Sequence, residues 1–185
     1  MQRLNPQTTA VVVVDVQERL AAAMPAAQLQ EVVRSASILL EAARLLGAPV
    51  FVTEQYPKGL GPTVREVDAL LAAAGAQRFE KMTFSAGDVS AFNDALSASG
   101  ARAAIVIGME SHVCVYQTVR DLVARGIEVH VPIDGVSSRR DDHRETGISL
   151  CERAGAVRTT TESVAFDWLG KAGSEEFRQL SKLIR

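Results

Sequence analysis

The chain has 185 residues, of which 47% are hydrophobic and 23% are charged, and its 20 basic and 22 acidic side chains leave a formal net charge of −2. This balance is typical of a folded, water-soluble globular protein and excludes a disordered chain, so we expect a single domain over residues 1–185. The chain lacks the surplus of basic residues that would indicate a nucleic-acid or membrane-surface partner.

Short β-branched segments alternate with longer helical patterns, which is typical of parallel strands joined by crossover helices. Strands are predicted at 10–15, 49–53, 78–81, 103–108, 127–132 and 156–159. Helices are predicted at 28–46, 62–74, 88–99, 113–125, 141–154 and 174–184. The pattern predicts a three-layer α/β/α, Rossmann-like fold with an open, mostly parallel sheet of about six strands. The helix at 174–184 is expected to pack on its own chain, with a neighbouring subunit as the alternative.

No segment of the sequence predicts membrane insertion or export. The longest apolar run, 9–14, ends at Asp15 and is too short to cross a bilayer. The N-terminus has no apolar region followed by a small-residue cleavage site, so a cytoplasmic location is expected. Two cysteines, Cys114 and Cys151, are too few for a disulfide framework.

Open α/β sheets bind ligands beyond the carboxyl ends of their strands, near the point where strand order reverses. Asp15 follows four valines at such an end, where a carboxylate is costly unless it has a partner or a task. It either caps the following turn or takes part in chemistry. Lys81 follows the short strand and is either a solvated surface charge or a partly desolvated ammonium that keeps Cys114 or Asp15 ionised.

Cys114 lies where a strand gives way to a helical pattern. The positive end of a helix dipole favours a thiolate, and the free amides of that turn are suited to hold an oxyanion. The alternative is a small buried hydrophobe, the role that we assign to Cys151. His112 is a candidate base by proximity, although side chains so close together at a turn usually diverge.

Known cofactor motifs are not matched. Segment 59–64 begins like a dinucleotide fingerprint, but it lacks the third glycine and carries Pro62 where amides should face a pyrophosphate. His112, His130 and His143 lack the short spacing of metal ligands. We therefore expect neither a metal nor an organic cofactor.

Three motifs in this order resemble the isochorismatase-like cysteine hydrolase superfamily: Val14-Asp15-Val16-Gln17, the segment 80–85 around Lys81, and the segment 108–115 around Cys114. The resemblance covers nearly the whole chain. Segments 53–61 and 177–185 are especially similar to the isochorismatase domain-containing branch.

The resemblance implies a catalytic triad of Asp15, Lys81 and Cys114. It also implies a cis peptide bond between Met109 and Glu110, and an oxyanion hole formed by the backbone amides of Glu110 and Cys114. A non-proline cis bond costs about 3 kcal/mol, so only an enforcing structure would keep it. The substrate-binding candidates are Gln17, Gln55, Tyr56, Phe84 and His112.

Two departures from the superfamily narrow the expected reaction. Nicotinamidases carry a metal site with histidines after the second strand, whereas this chain has no histidine before His112. Enzymes that cleave isochorismate have glycine at the nucleophile position, where this chain has Cys114.

The sequence hypothesis is therefore an amidase-like, cysteine-dependent hydrolase that cleaves a small amide or related C–N bond through a thioester. It would need no cofactor, act on a small-molecule substrate and assemble as a homo-oligomer. The alternatives are a thiol redox sensor and a non-catalytic binding or interaction module on the same fold.

Overall fold

A computed structural model describes residues 3–184. Its strands are β1 (Thr9–Val14), β2 (Val50–Gln55), β3 (Gln77–Lys81), β4 (Ala103–Met109), β5 (Glu128–Pro132), β6 (Val136–Ser137) and β7 (Val157–Thr159). Its α-helices are α1 (Glu18–Ala21), α2 (Ala26–Leu46), α3 (Pro57–Leu60), α4 (Arg65–Ala73), α5 (Ser90–Ala98), α6 (Tyr116–Ala124), α7 (Asp141–Arg153), α8 (Thr161–Leu169) and α9 (Glu175–Ile184). The predicted domain of 1–185 and the C-terminal resemblance also include residues 1, 2 and 185, which lie outside the described residues.

The six predicted strands and six predicted helices are all present, with ends that differ by at most three residues. The predictions missed β6, α8 and the single-turn helices α1 and α3. A two-residue strand has too few positions to show a period of two, and a one-turn helix has too few to show a period of 3.6.

All strand pairs in the sheet are parallel, in the order β3-β2-β1-β4-β5-β7, with β6 pairing beside the end of β4. The chain passes from β1 to β2 on one side and later returns to place β4 on the other side of β1. Strand order therefore reverses between β1 and β4, which is where this architecture opens a crevice beyond the carboxyl ends. The prediction of a three-layer α/β/α fold is confirmed.

Helices cover both faces of the sheet, which is why β1 is apolar at consecutive positions. Val11 and Val13 pack on the layer of α2, α4, α8 and α9, whereas Val12 and Val14 pack on the layer of α5, α6 and α7. Leu180 of α9 is fully buried in the first layer, so this helix packs on its own chain, as predicted.

Within residues 3–184, no helix has both the length and the apolar character that crossing a bilayer requires.

Candidate functional site

Asp15 begins the turn after β1, at the reversal of strand order. Its Oδ1 accepts a hydrogen bond from Thr53 Oγ1 at 2.7 Å, and its Oδ2 accepts one from Lys81 Nζ at 2.6 Å. The residue is fully buried, and its φ of 54° lies in the left-handed region that non-glycine residues seldom adopt. The capping interpretation is wrong, because α1 has Gln17 as its N-cap residue and no side-chain cap.

Lys81 ends β3 with its ammonium turned into the protein. Nζ donates to Asp15, to Gln55 Oε1 at 2.8 Å and to the carbonyl oxygen of Phe84 at 2.9 Å, with that of Thr83 at 3.3 Å. The Asp15 and Lys81 side chains are both 0% exposed. A buried ion pair is tolerated when further hydrogen bonds satisfy both charges, as they do here. Lys81 is therefore a desolvated charge with fixed partners.

Cys114 lies in a π-helical turn, Ser111–Val115, that leads directly into α6. Its thiol is buried, and the carboxylate of Asp15 lies close enough to affect its ionisation. Burial raises the pKa of the Cys114 thiol to about 12; the charges of Asp15 and Glu110 also raise it, whereas Lys81 lowers it. The expectation of a resting thiolate is therefore wrong, because burial and the neighbouring carboxylate outweigh the lysine. The resting group is a neutral thiol.

The turn between β4 and Cys114 corrects a second expectation. The bond between Met109 and Glu110 is trans, and no cis peptide bond occurs within residues 3–184. Gly108 lies within β4, where it pairs with Val14 and Val136; its φ is 135°, and a Cβ there would overlap the carbonyl group of Val14 on β1. Glycine accommodates this close approach, and the bond after Met109 has the trans form that non-proline residues prefer.

The carbonyl oxygen of Glu110 accepts hydrogen bonds from the amides of Val113 at 3.1 Å and Val115 at 3.2 Å. These bonds wind the chain tightly around Cys114, which lies between the two donors. The Glu110 and Cys114 amides thus belong to one turn at the N-terminal end of a helical segment, a position suited to an anion.

Glu110, Arg139, His112 and His143 form a second polar group next to Cys114. Arg139 Nε donates to Glu110 Oε1 at 2.7 Å, whereas buried Glu110 Oε2 has no hydrogen-bond partner among the described residues. His112 Nδ1 lies 3.4 Å from Glu110 Oε2, and the His112 ring packs 4.5 Å from the His143 ring. We refer to these four residues as the Glu110 cluster.

The His112 ring is turned toward the Glu110 cluster. Burial lowers its pKa, and the charges of His143 and Arg139 act in the same direction, whereas Glu110 and Asp142 raise it. Its Nδ1 also lies 3.0 Å from Ser138 Oγ. The contacts of His112 Nδ1 are therefore with Ser138 and Glu110 rather than with Cys114, and we do not assign it the role of base to Cys114.

The remaining substrate-binding candidates fall into two groups. Gln17 is fully buried, and its side-chain amide binds the backbone of Gln55 and Gly61. Gln55 uses its side chain on Lys81 and on the Met82 carbonyl oxygen. Both glutamine side chains hold loops in place, and their polar groups are already hydrogen-bonded within the protein. Tyr56 and Phe84, in contrast, are 47% and 52% exposed at the same end of the sheet.

Four residues support the site without having been predicted as site residues, although Thr53 was included in the segment 53–61. Thr53 orients Asp15, Ser138 accepts a hydrogen bond from the Ser111 amide at 3.0 Å, and Arg139 holds Glu110. A Cβ on Gly147 of α7 would lie 2.5 Å from the His112 amide nitrogen, so this glycine lets α7 pack directly on the turn of Cys114. The Ser-Ser-Arg run that follows Val136 was the available signal for the loop after β6.

Comparisons with known proteins agree with this architecture. The family model described as "Isochorismatase domain" matches residues 9–163. Isochorismatase domain-containing protein 1 from Salmo salar is 37% identical over 98% of this chain, which spans 62% of that relative's length. Isochorismatase domain-containing protein 2 from Bos taurus is 35% identical over 99% of this chain and 86% of the relative.

Among solved structures, one described as the MAR1 ribonuclease from Caenorhabditis elegans is 38% identical, with a TM-score of 0.91 over 99% of this chain and 92% of the other. The family match covers most of the sheet and every residue of the site from Asp15 to Gly147. The chain therefore belongs to the isochorismatase family of hydrolases, as its motifs indicated.

Proposed function

We propose that this chain hydrolyses a small amide or related C–N bond through a thioester on Cys114. One observation carries the proposal: a single buried carboxylate, that of Asp15, accepts hydrogen bonds from the Thr53 hydroxyl and the Lys81 ammonium and lies close enough to the buried Cys114 thiol to raise its pKa. A nucleophile next to a base, with that base oriented by further groups, is the arrangement that nucleophilic catalysis requires.

The reaction begins when Asp15 takes the thiol proton while the sulfur of Cys114 attacks the substrate carbonyl carbon. The carbonyl oxygen becomes an oxyanion, for which the backbone amides of Glu110 and Cys114 are the proposed donors. Asp15 then returns its proton to the leaving nitrogen as the C–N bond breaks, which leaves a thioester. In the second half, Asp15 removes a proton from water, which attacks the thioester, and the thiol is regenerated with release of the acid.

Lys81 supports both halves by placing a positive charge next to Asp15. The ammonium lies 2.6 Å from the carboxylate and supplies the counter-charge that a fully buried carboxylate requires. The neighbouring bonds to Gln55 and Phe84 keep the ammonium in place through the cycle. We therefore assign Lys81 an electrostatic role and Asp15 the proton transfers.

The raised pKa of Cys114 favours this reaction over a redox sensor. Sensor thiols are low-pKa and accessible, because the thiolate is the form that oxidants attack. A buried neutral thiol next to a carboxylate base is instead suited to lose its proton only when a substrate is bound. A binding module on the same fold would not need the buried Asp15–Lys81 ion pair, whose desolvation costs several kcal/mol per ion before its partners offset it.

Turnover of a panel of primary amides, ureido compounds and esters tests the proposal, with wild type, Cys114→Ala and Cys151→Ala compared side by side. Cys151 is the matched control, since it is also a buried free thiol with a raised pKa. We expect Cys114→Ala to lose at least about a thousandfold in kcat/KM and Cys151→Ala to lose less than about threefold. Equal turnover by wild type and Cys114→Ala would overturn the proposal.

A single-stranded RNA belongs in the same panel because the Caenorhabditis elegans structure is described as a ribonuclease. Thioester chemistry has no place in phosphodiester cleavage. RNA cleavage that survives Cys114→Ala, with no amide turnover, would therefore assign a different reaction to this fold. The cytoplasmic location and the homo-oligomer stay predictions from the sequence.

A further inference from the structure

Three large apolar side chains are exposed together at the carboxyl ends of β2 and β3. Tyr56, Met82 and Phe84 are 47%, 72% and 52% exposed. We call these three residues the apolar lip. The other large hydrophobic side chains exposed within residues 3–184 are Phe166 and Leu183, on α8 and α9. Tyr56 and Met82 line one cavity, and Phe84 follows Met82 by two residues. Neighbouring exposed apolar side chains, unlike isolated ones, indicate a binding site.

The backbone of the lip is bonded to the residues that hold Lys81. The Tyr56 amide donates to the Lys81 carbonyl oxygen at 2.9 Å, and Gln55 Nε2 donates to the Met82 carbonyl oxygen at 2.9 Å. Lys81 Nζ itself donates to the Phe84 carbonyl oxygen. The Phe84 carbonyl oxygen thus binds the Lys81 ammonium directly, that of Met82 is linked to it through Gln55, and Tyr56 is bonded to the Lys81 backbone.

Tyr56 is held in a conformation that it would not adopt without support. Its φ is 38°, and the only other non-glycine residue with positive φ in the described chain is Asp15. The Tyr56 ring lies directly against Gly59, where a Cβ would overlap the ring carbons. Such backbone strain costs on the order of 1–3 kcal/mol and gathers at ligand sites. Both strained residues bond to Lys81, one at the ammonium and the other at the backbone.

A cavity of about 310 Å³ opens beside the lip. It is lined by Tyr56, Pro57, Lys58, Glu80, Lys81 and Met82. Its volume is at the lower end of the range for small-molecule sites. Tyr56, Pro57 and Met82 supply apolar wall, so the cavity favours an alkyl or aromatic group over a strongly hydrated one.

We propose that the apolar lip binds the non-reacting part of the substrate, and that the preferred substrates are therefore amides carrying a compact alkyl or aromatic group. The proposal rests on the proposed amide hydrolysis for its substrate class. Within it, Tyr56, Met82 and Phe84 are specificity-determining residues, which bind the substrate away from the bond that breaks.

Covalent labelling of Cys114 tests the lip without requiring turnover. The probes are N-benzyl chloroacetamide and N-(2-hydroxyethyl) chloroacetamide, with rates at Cys114 read by peptide mass spectrometry and normalised to their rates with glutathione. We expect wild type to favour the benzyl probe about tenfold, the low end of the discrimination that apolar pockets achieve. Met82→Ser and Phe84→Ser should reduce this preference to within about twofold.

Phe166→Ser and Leu183→Ser are the matched controls, because they remove exposed apolar side chains elsewhere and should keep the wild-type preference. No preference in wild type, or equal loss in all four variants, would overturn the proposal. Sedimentation velocity on the same variants checks whether the lip binds a second copy of this chain instead of substrate. A wild-type oligomer that Phe84→Ser dissociates, with the probe preference unchanged, would assign the lip to a second copy of this chain and overturn substrate binding.

The two proposals can fail separately. If wild type favours the benzyl probe but turns over none of the amides, the lip recognises apolar groups and the hydrolysis is wrong. If amides are hydrolysed by a Cys114-dependent reaction with no preference for apolar groups, the hydrolysis stands and the lip is wrong.

Discussion

Cys114 lies between two polar groups that are built in opposite ways. On one side, Asp15 and Lys81 are fully buried, and each charged oxygen or ammonium has a partner within the protein. On the other side, Glu110 is buried but is held at only one oxygen, by Arg139, whose side chain is 59% exposed. The buried Asp15–Lys81 pair, which we call the sealed pair, is suited to proton transfer at a fixed geometry.

The Glu110 cluster differs because its charges reach solvent and one carboxylate oxygen is unsatisfied. Its field still acts on the thiol, because Glu110 raises the pKa of Cys114, although less than burial and Asp15 do. In the proposed mechanism the first group performs the chemistry, whereas the second adjusts the pKa of the thiol and supports its turn. Substitutions on the two sides should therefore have different consequences.

Asp15→Asn should have the largest effect. It removes the proposed base while keeping the size of the side chain, and it leaves the Lys81 ammonium buried without its counter-charge. We expect a loss of at least about a thousandfold in kcat/KM on the best amide. The free energy of unfolding should fall by about 3–5 kcal/mol, as when one partner of a buried pair is removed. Steady-state kinetics and urea unfolding measure the two effects.

Asp142→Asn is the control for that substitution, since Asp142 pairs with Arg140 at the surface, where both side chains are more than half exposed. It should leave both turnover and the unfolding midpoint unchanged. Equal effects of Asp15→Asn and Asp142→Asn would contradict the distinction between a sealed pair and surface charges.

Gly147→Ala should have an intermediate effect, because it acts on the turn rather than on a reacting group. The added methyl would overlap the backbone of Ser111 and His112, so α7 or the turn must move. Overpacking of this kind costs about 1–3 kcal/mol, and displacement of Cys114 should lower kcat about tenfold to a hundredfold.

Cys151→Ala, on the same helix, is a suitable comparison for Gly147→Ala because it shortens a buried side chain without adding atoms. A crystal structure of the Gly147→Ala protein would show the shift. Full activity with an unmoved turn would show that this close approach has no part in positioning the thiol.

Glu110→Gln should have the smallest effect, and its sign is informative. Removing a negative charge near the sulfur stabilises the thiolate, so the pKa of Cys114 should fall from about 12. The labelling rate of Cys114 by iodoacetamide at pH 8 to 9 should therefore rise severalfold, while that of Cys151 stays constant. A slower or unchanged rate at Cys114 would mean that the Glu110 charge does not reach the thiol.

Much of this site could be predicted from the sequence, because the residue pattern shows where strands end. The valine run that ends at Asp15 and the short strand that ends at Lys81 placed both charges at one edge of the sheet. The motif around Cys114 supplied the third residue. What unites them is the topology of the sheet, in which β1, β2 and β3 are adjacent and β4 lies next to β1.

Other features could not be predicted because they depend on contacts between distant segments. The sequence shows that Cys114 starts a helix, but not that the thiol is buried against Asp15, so a low pKa was expected where burial raises it. The bond between Met109 and Glu110, which the family resemblance led us to expect in the cis form, is trans. No local sequence pattern predicted the role of Gly147, because its neighbours on α7 do not indicate which turn the helix packs against.

The most direct test of the Asp15–Lys81–Cys114 unit is acid-quenched mass spectrometry of the enzyme during turnover of its best amide. We expect the acyl mass on the peptide that contains Cys114, its removal by hydroxylamine as a thioester requires, and its absence in Asp15→Asn. Cys114 that stays unmodified during wild-type turnover, or an acyl group found only on another residue, would contradict the account.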